Sequence, residues 1–183
     1  MLDLTKIDRT WTLFLDRDGV INHDKSPYTL SAAEFEIYDG VIDAIRKFSS
    51  IFNRIFVVTN QRGVGRRLMT EDALLEIHEK MTTAILAAGG RIDKIYYCTA
   101  VDDNHPDRKP NPGMALRAMK EHPDVAGDRS IMVGNNISDM KFGKAAGMYT
   151  VLLKTTGSQV ELPHPLVDLQ YDTLAQFADA LST

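Results

Sequence analysis

Apolar residues along the chain fall into short unbroken runs, separated by longer stretches in which they recur every three or four positions. Trp11 to Leu15, Arg54 to Thr59, Arg129 to Gly134 and Tyr149 to Leu153 are runs of the first kind, and Ile92 to Cys98 alternates. Runs of this length, rich in β-branched and aromatic residues and bounded by turn formers, predict buried strands. Between them, Val41, Ile42, Ile45 and Phe48 follow at helical spacing, with Asp39 as the expected N-cap. Thr70 is placed to cap a longer helix, with Leu74, Ile77, Met81, Ile85 and Ala88 on one face and Gly89-Gly90 at its end. His78 lies beside that apolar stripe and reads as a boundary residue. Asn111-Pro112 predicts a further helix start, with asparagine as cap and proline in the first turn. Met140, Phe142, Ala145 and Ala146 predict a short helix closed by Gly147, and Leu174, Phe177, Ala178 and Leu181 predict a last one. Residues 22–33 and 157–165 show no period and are expected to be irregular.

The alternation of strand and helix predicts an α/β protein: a Rossmann-like open, mostly parallel sheet with helices on both faces. The 183 residues fit one domain, 1–183, and no segment is long enough to be a large inserted cap domain.

Charge and cysteine content narrow the setting. A net charge of -4 gives no support to binding nucleic acid through a basic surface. Cys98 is the only cysteine, which excludes an intramolecular disulfide and fits a reducing compartment. Asp3, Lys6, Asp8 and Arg9 interrupt any apolar leader before Trp11, and no stretch approaches the ~18 apolar residues of a membrane helix. A cytoplasmic protein with no nucleic-acid and no membrane partner is expected. The oligomeric state is left open.

The candidate chemistry sits where the predicted strands end. Asp16 and Asp18 follow the first apolar run and are followed by Gly19, so alternation projects both carboxylates the same way. Alone, Asp-X-Asp-Gly fits a turn or a calcium loop as well as a site. Thr59-Asn60-Gln61-Arg62-Gly63-Val64-Gly65 offers a hydroxyl, two amides and two glycines, a composition suited to an anion, although a plain strand-to-helix turn is the alternative. Lys109 is held among prolines just before a helix, and Asn135-Asn136-Ile137-Ser138-Asp139 ends the fourth strand. Four polar clusters at the C-terminal ends of strands in one sheet coincide with the place where open α/β folds put their sites.

These residues resemble a known family, the haloacid dehalogenase-like phosphohydrolases. Asp16-Arg17-Asp18-Gly19-Val20-Ile21-Asn22 is similar to their first motif, Thr59-Asn60 to the second, Arg108-Lys109-Pro110 to the third and Gly134-Asn135-Asn136-Ile137-Ser138-Asp139 to the fourth. Asp39-Gly40-Val41, Thr59-Asn60-Gln61-Arg62-Gly63, Ile95-Tyr96-Tyr97-Cys98 and Arg108 to Met114 resemble the heptose-bisphosphate phosphatases and the histidinol-phosphatase domains in particular, over about Trp11 to Leu153.

The resemblance implies an Mg2+-dependent phosphatase of small sugar phosphates, a heptose bisphosphate among them, working through an aspartyl phosphate. Asp16 would be the nucleophile and Asp18 the acid and base. Thr59, Asn60 and Lys109 would hold the phosphate, and Arg62 and Arg108 a second anionic group on the substrate. Arg66 and Arg67 read equally well as solvated loop charges. Mg2+ would be held by Asp16, the Asp18 carbonyl and Asn135, with Asp139 supporting through water. Other readings are a histidinol-phosphate or nucleic-acid 3′-end phosphatase, the latter disfavoured by the acidic charge, and a phospho-ligand-binding module that has lost turnover.

The chain departs from the family pattern in two respects. Asn135 stands where an aspartate is usual; an amide oxygen can ligate Mg2+, with one negative charge fewer. Cys98 stands where the first ligand of the zinc loop of the resembling heptose phosphatases would be, and His105 is near the later pair. Ala100 and Asp107 occupy places where ligands would be needed, so no zinc is expected. The loop 101–108 must then be shaped by Pro106 and local hydrogen bonds.

Overall fold

The computed structural model describes residues 2–25 and 28–181. Six strands, β1 (Thr12–Leu15), β2 (Arg54–Asn60), β3 (Lys94–Cys98), β4 (Ser130–Gly134), β5 (Tyr149–Leu153) and β6 (Leu169–Tyr171), form one sheet in the order β3-β2-β1-β4-β5-β6. Every pairing is parallel. Helices α1 (Val41–Ile51), α3 (Glu71–Ala87), α4 (Gly113–Glu121), α5 (Ile137–Ala145) and α6 (Leu174–Ala180) connect and cover it, with a four-residue turn of helix, α2 (Arg62–Gly65), after β2.

The unbroken apolar runs are explained by burial on both sides of the sheet. Leu13, Leu15, Ile55, Val57, Ile131 and Val133 face α1, α3 and α6, packing with Ile45, Phe48, Met81 and Phe177. The alternate residues Phe14, Phe56, Val58 and Met132 face α4 and α5, packing with Met114, Ala118 and Phe142. With two faces to fill, neither parity can be polar.

Chain order runs outward from β1 in one direction through β2 and β3, and from β4 in the other through β5 and β6. The direction reverses between β1 and β4, which leaves a crevice beyond their C-terminal ends. Leu15 is in register with Val57 on one side and Val133 on the other, so the residues just past all three strands meet at one level.

Three local expectations are corrected. Asp39 does not cap α1; the N-cap is Gly40, in the left-handed region at φ 77°, with no side-chain bond to the first turn. Asn111 does not cap α4, whose N-cap is Pro112; its side chain is turned back into the loop, where Nδ2 donates to the His105 carbonyl at 3.0 Å. β6 was not expected, since its three half-buried residues pair on one side only, with β5. Thr70 does cap α3, accepting from the Ala73 N–H at 3.1 Å. Ser26 and Pro27, within the stretch expected to be irregular, lie outside the described residues. Among the described residues no helix is long and apolar enough to cross a membrane.

Candidate active site

A cleft of about 160 Å³ opens at the crevice and is lined by Asp16, Asp18, Thr59, Asn60, Lys109 and Asp139, joined by Asp24, Asn136 and Ser138. Asp16 leaves the end of β1 with its N–H donated to the Val133 carbonyl at 3.0 Å, which fixes it against β4. Lys109 arrives from the β3–α4 connection. Its Nζ lies 2.8 Å from Asp16 Oδ1 and 2.7 Å from Asp139 Oδ1, with the side chain only 3% exposed. A buried ammonium needs close counter-charges to be retained, and it has two.

Each partner of Lys109 is held in turn. The second Asp139 oxygen accepts from the Asn136 N–H at 3.0 Å, closing the start of α5. Asp139 can lie so near the strand end because residue 134 is glycine; a Cβ there would run into the Asp139 carboxylate. Asn60 is spent on the Lys109 backbone, donating to its carbonyl and accepting from its N–H, both at 3.0 Å. Thr59 Oγ1 accepts from Gln61 Nε2 at 2.8 Å, which leaves the Thr59 hydroxyl proton free to be donated into the cleft.

The two aspartates of β1 live in opposite environments. Asp16 is pushed upward by burial and by the neighbouring Asp139 and Asp18 charges, against the pull of Lys109. Asp18 is partly buried, which raises its carboxyl, but Arg17, Asn22 and Gln61 overcome that penalty and hold it below the usual range. Arg17 Nη2 reaches both Asp18 oxygens at 2.8 and 2.9 Å, Asn22 Nδ2 reaches Oδ1 at 2.9 Å, and Gln61 Nε2 reaches Oδ2 at 2.8 Å. Beneath Arg17 lies His78, whose Nε2 is 3.3 Å from Nη1. Burial first, and then the Arg17 charge, push the His78 imidazole down to about 3, so it is neutral at physiological pH.

Arg62 and Arg108 converge, but on a carboxylate of this chain. Both guanidinium groups bind Asp103, with Arg108 Nε at 3.0 Å, and Arg62 also donates to the Val101 carbonyl at 3.1 Å. Neither lines the cleft.

Asn135 is brought to the site from behind. It is fully buried under the turn at Gly19, where φ is 81° and a Cβ would collide with its amide. Its Nδ2 donates to Thr156 Oγ1 at 2.9 Å, while its Oδ1 has no hydrogen-bond partner among the described residues.

Comparison with known proteins decides the family. A family described as HAD-hydrolase-like matches residues 107–177. The chain is 38% identical over 161 residues to the D-glycero-beta-D-manno-heptose-1,7-bisphosphate 7-phosphatase of Yersinia pestis, covering 81% of this chain and 82% of that one. The chain belongs to the haloacid dehalogenase-like (HAD) phosphatases. The corresponding enzyme of Pseudomonas putida is 35% identical over 172 residues, covering 92% and 98% of the two chains. A Campylobacter jejuni relative, 37% identical over 145 residues and covering 79% of this chain and 83% of that one, is the enzyme for the alpha anomer. Among solved structures, the D,D-heptose 1,7-bisphosphate phosphatase of B. bronchiseptica, complexed with magnesium and phosphate, superposes with a TM-score of 0.83 at 31% identity, over 92% of this chain and 96% of that one.

The residues of this HAD phosphatase fit a divalent cation. Asp16, Asp18 and Asp139 outnumber Lys109 and Arg17, so the site gathers more carboxyl groups than the chain's own cations pair with. A buried amide oxygen without a partner, Asn135 Oδ1, is an acceptor that a hard cation would satisfy. Asp139 has both oxygens engaged by Lys109 and the Asn136 backbone, so it would reach such an ion through water.

In the loop 101–108, Cys98 Sγ lies 3.6 Å from His105 Nδ1, which also accepts from the Asp107 N–H at 3.2 Å. The loop is shaped by its own backbone: His105 N–H bonds to the Asp102 carbonyl, Arg108 N–H to His105, and Gly113 N–H to Pro106.

Sequence reasoning did not single out Arg17, Asn22, Gln61 or His78 as site residues. Gln61 and Asn22 lie inside the recognised motifs. His78 carries no local signal, since the contact that recruits it spans 61 residues.

Proposed function

We propose that this protein is an Mg2+-dependent phosphatase that hydrolyses a phosphate monoester of a small sugar, with D-glycero-D-manno-heptose 1,7-bisphosphate as the substrate class. The observation that carries this reading is the buried Lys109 ammonium seated between Asp16 and Asp139 at the strand-order reversal. A cation fixed there offers a phosphoryl group charge neutralisation without reorganisation, the main source of acceleration in phosphoryl transfer.

Asp16 attacks phosphorus, and the P–O bond to the sugar breaks as an Asp16–phosphate bond forms. Asp18 is ionised in the resting site, since Arg17, Asn22 and Gln61 hold its carboxyl below the usual range, so it must bind a proton with the substrate. It gives that proton to the leaving oxygen and then takes one from the water that hydrolyses the aspartyl phosphate. Lys109 and the Thr59 hydroxyl hold the phosphoryl oxygens, and Asn60 keeps Lys109 in place. Asp16, the Asp18 carbonyl and Asn135 Oδ1 would hold Mg2+, which supplies further neutralisation of the phosphoryl charge. Relatives for both the alpha and the beta anomer resemble the chain at similar identity, so both belong in the test.

The test is phosphate release from a panel of sugar phosphates, including both heptose bisphosphate anomers, with Mg2+ and with chelator. Release should require Mg2+ and disappear in Asp16→Asn. Absence of turnover on every substrate, unrescued by Asn135→Asp, would overturn the phosphatase reading.

A further inference from the structure

Arg17 stands between the two reactive carboxylates in sequence, yet its side chain is fully buried beneath the cleft. A guanidinium has five donors and no acceptor, and burial makes each unpaired donor costly. Nη2 is spent on both oxygens of Asp18. Nη1 is directed at His78 Nε2, 3.3 Å away on α3. Nε has no partner among the described residues, and the guanidinium carbon sits 6.0 Å from the centre of the Phe35 ring. Since Arg17 can only donate, His78 Nε2 must accept, and the imidazole proton lies on Nδ1.

The consequence is mechanical. Asp18 is aimed by three donors, of which Asn22 and Gln61 hold one oxygen each and only Arg17 spans both. Arg17 can define the plane of the carboxylate only if its own plane is fixed. With Nε unpaired, the His78 contact is the polar anchor at the far end of the fork. Groups that carry out chemistry need such support to stay within a fraction of an ångström of productive geometry.

We propose that His78 is a positioning residue: by anchoring Arg17, it holds Asp18 at the angle from which its proton reaches the leaving-group oxygen. This inference rests on the assignment of Asp18 as the proton carrier, and the experiment separates the two.

The readout is kcat/KM for two leaving groups, measured with D-glycero-D-manno-heptose 1,7-bisphosphate and with 4-nitrophenyl phosphate. In the first step the P–O bond breaks, and a sugar alkoxide must be given a proton as it leaves. A nitrophenolate departs without one. Misplacing the proton donor therefore slows the sugar substrate selectively, whereas a general loss of packing slows both.

Asp18→Asn sets the reference and should show this split. His78→Asn puts its amide where Nδ1 was, short of Arg17. His78→Gln can carry an acceptor to the position of Nε2. His78→Asn should lower kcat/KM for the heptose bisphosphate by about tenfold, a part of the ~10²–10⁴ that acid–base assistance is worth, and leave the nitrophenyl ester within about twofold. His78→Gln should restore the sugar activity. Arg17→Lys, which keeps the charge but loses the fork, should show the split without relying on the folding of a His78 variant. Equal loss on both substrates, or no loss on either, in His78→Asn or Arg17→Lys would overturn the positioning role. If Asp18→Asn itself slows both substrates alike, the assignment of Asp18 fails, and the inference fails with it.

Discussion

The side-chain amide of Asn60 and the backbone of Lys109 form a reciprocal pair, each donating to the other at 3.0 Å. β2 and the β3–α4 connection are thereby joined at the residue whose ammonium holds Asp16. Asn60→Ala would leave a half-buried peptide N–H and carbonyl without partners, a loss of about 1–3 kcal/mol in urea unfolding. Lys109 would also lose its backbone anchor. A fall in kcat of about 10- to 100-fold is expected, the scale on which displacement by about 1 Å acts. Unchanged kcat in a variant with lowered stability would show that the pair serves folding alone.

Asn135→Asp is expected to tighten Mg2+ binding. Thr156, the partner of the Asn135 amide, carries a hydroxyl that can donate to a carboxylate, so the variant keeps its local bond. The added charge joins Asp16, Asp18 and Asp139 around the cleft. Chelator-treated Asn135→Asp should therefore melt below the wild type, and added Mg2+ should raise its melting temperature by more. The Mg2+ concentration for half-maximal activity should fall by about tenfold, equivalent to about 1.4 kcal/mol. The same half-saturation in both proteins would argue that residue 135 does not face the ion.

Asp103 is the counter-charge that Arg62 and Arg108 now share. An incoming anionic group must compete with it for both guanidinium groups. Asp103→Ala should lower KM for a sugar bisphosphate more than for the matching monophosphate, and the difference should shrink at high salt. Equal KM changes for the two substrates would place the second phosphate elsewhere.

Acid stability provides an independent check on His78. Its folded pKa is depressed to about 3 from 6.5, so between those values the unfolded chain binds a proton that the folded chain does not. Stability therefore rises with pH across this window, is complete above 6.5, and is lost as pH falls toward 3. The contribution approaches about 1.4 kcal/mol per pH unit. Urea unfolding of wild type and His78→Gln at pH 4, 5 and 7 should show the wild type falling more steeply into acid. Parallel curves would mean that His78 is already neutral in the unfolded chain or charged in the folded one.

Much of this architecture is legible in the sequence because a parallel sheet buried on both faces leaves unbroken apolar runs, as at Ile55 to Val58. Asp16, Thr59 and Lys109 could be picked out in the same way, since Asp16 follows an apolar run, Thr59 ends one and Lys109 stands among prolines before a helix. What escaped depends on long-range contact or on competition for a side chain. Asn111 has the composition of a cap, but its side chain is turned toward the loop at His105 and away from the helix start. Asn60 has the composition of an anion ligand, but the Lys109 backbone claims it. Arg62 and Arg108 were expected to await an anion and have found Asp103. His78 is indistinguishable from a core-edge histidine until Arg17 is seen beneath the cleft.

The central place of β1 in the sheet bears on how the protein is made. Of the six strands β1 is synthesised first, yet its two neighbours are β2 and β4. A nascent chain halted before Ser130 would leave one edge of β1 unpaired, an opening for other chains. It would also present Asp16 and Lys109 without Asp139, leaving the ammonium one of its two counter-charges in an unfinished cleft. Growth from the ribosome therefore supplies the nucleophile early and withholds its setting until β4 and α5 emerge, so that activity can appear only after both have docked.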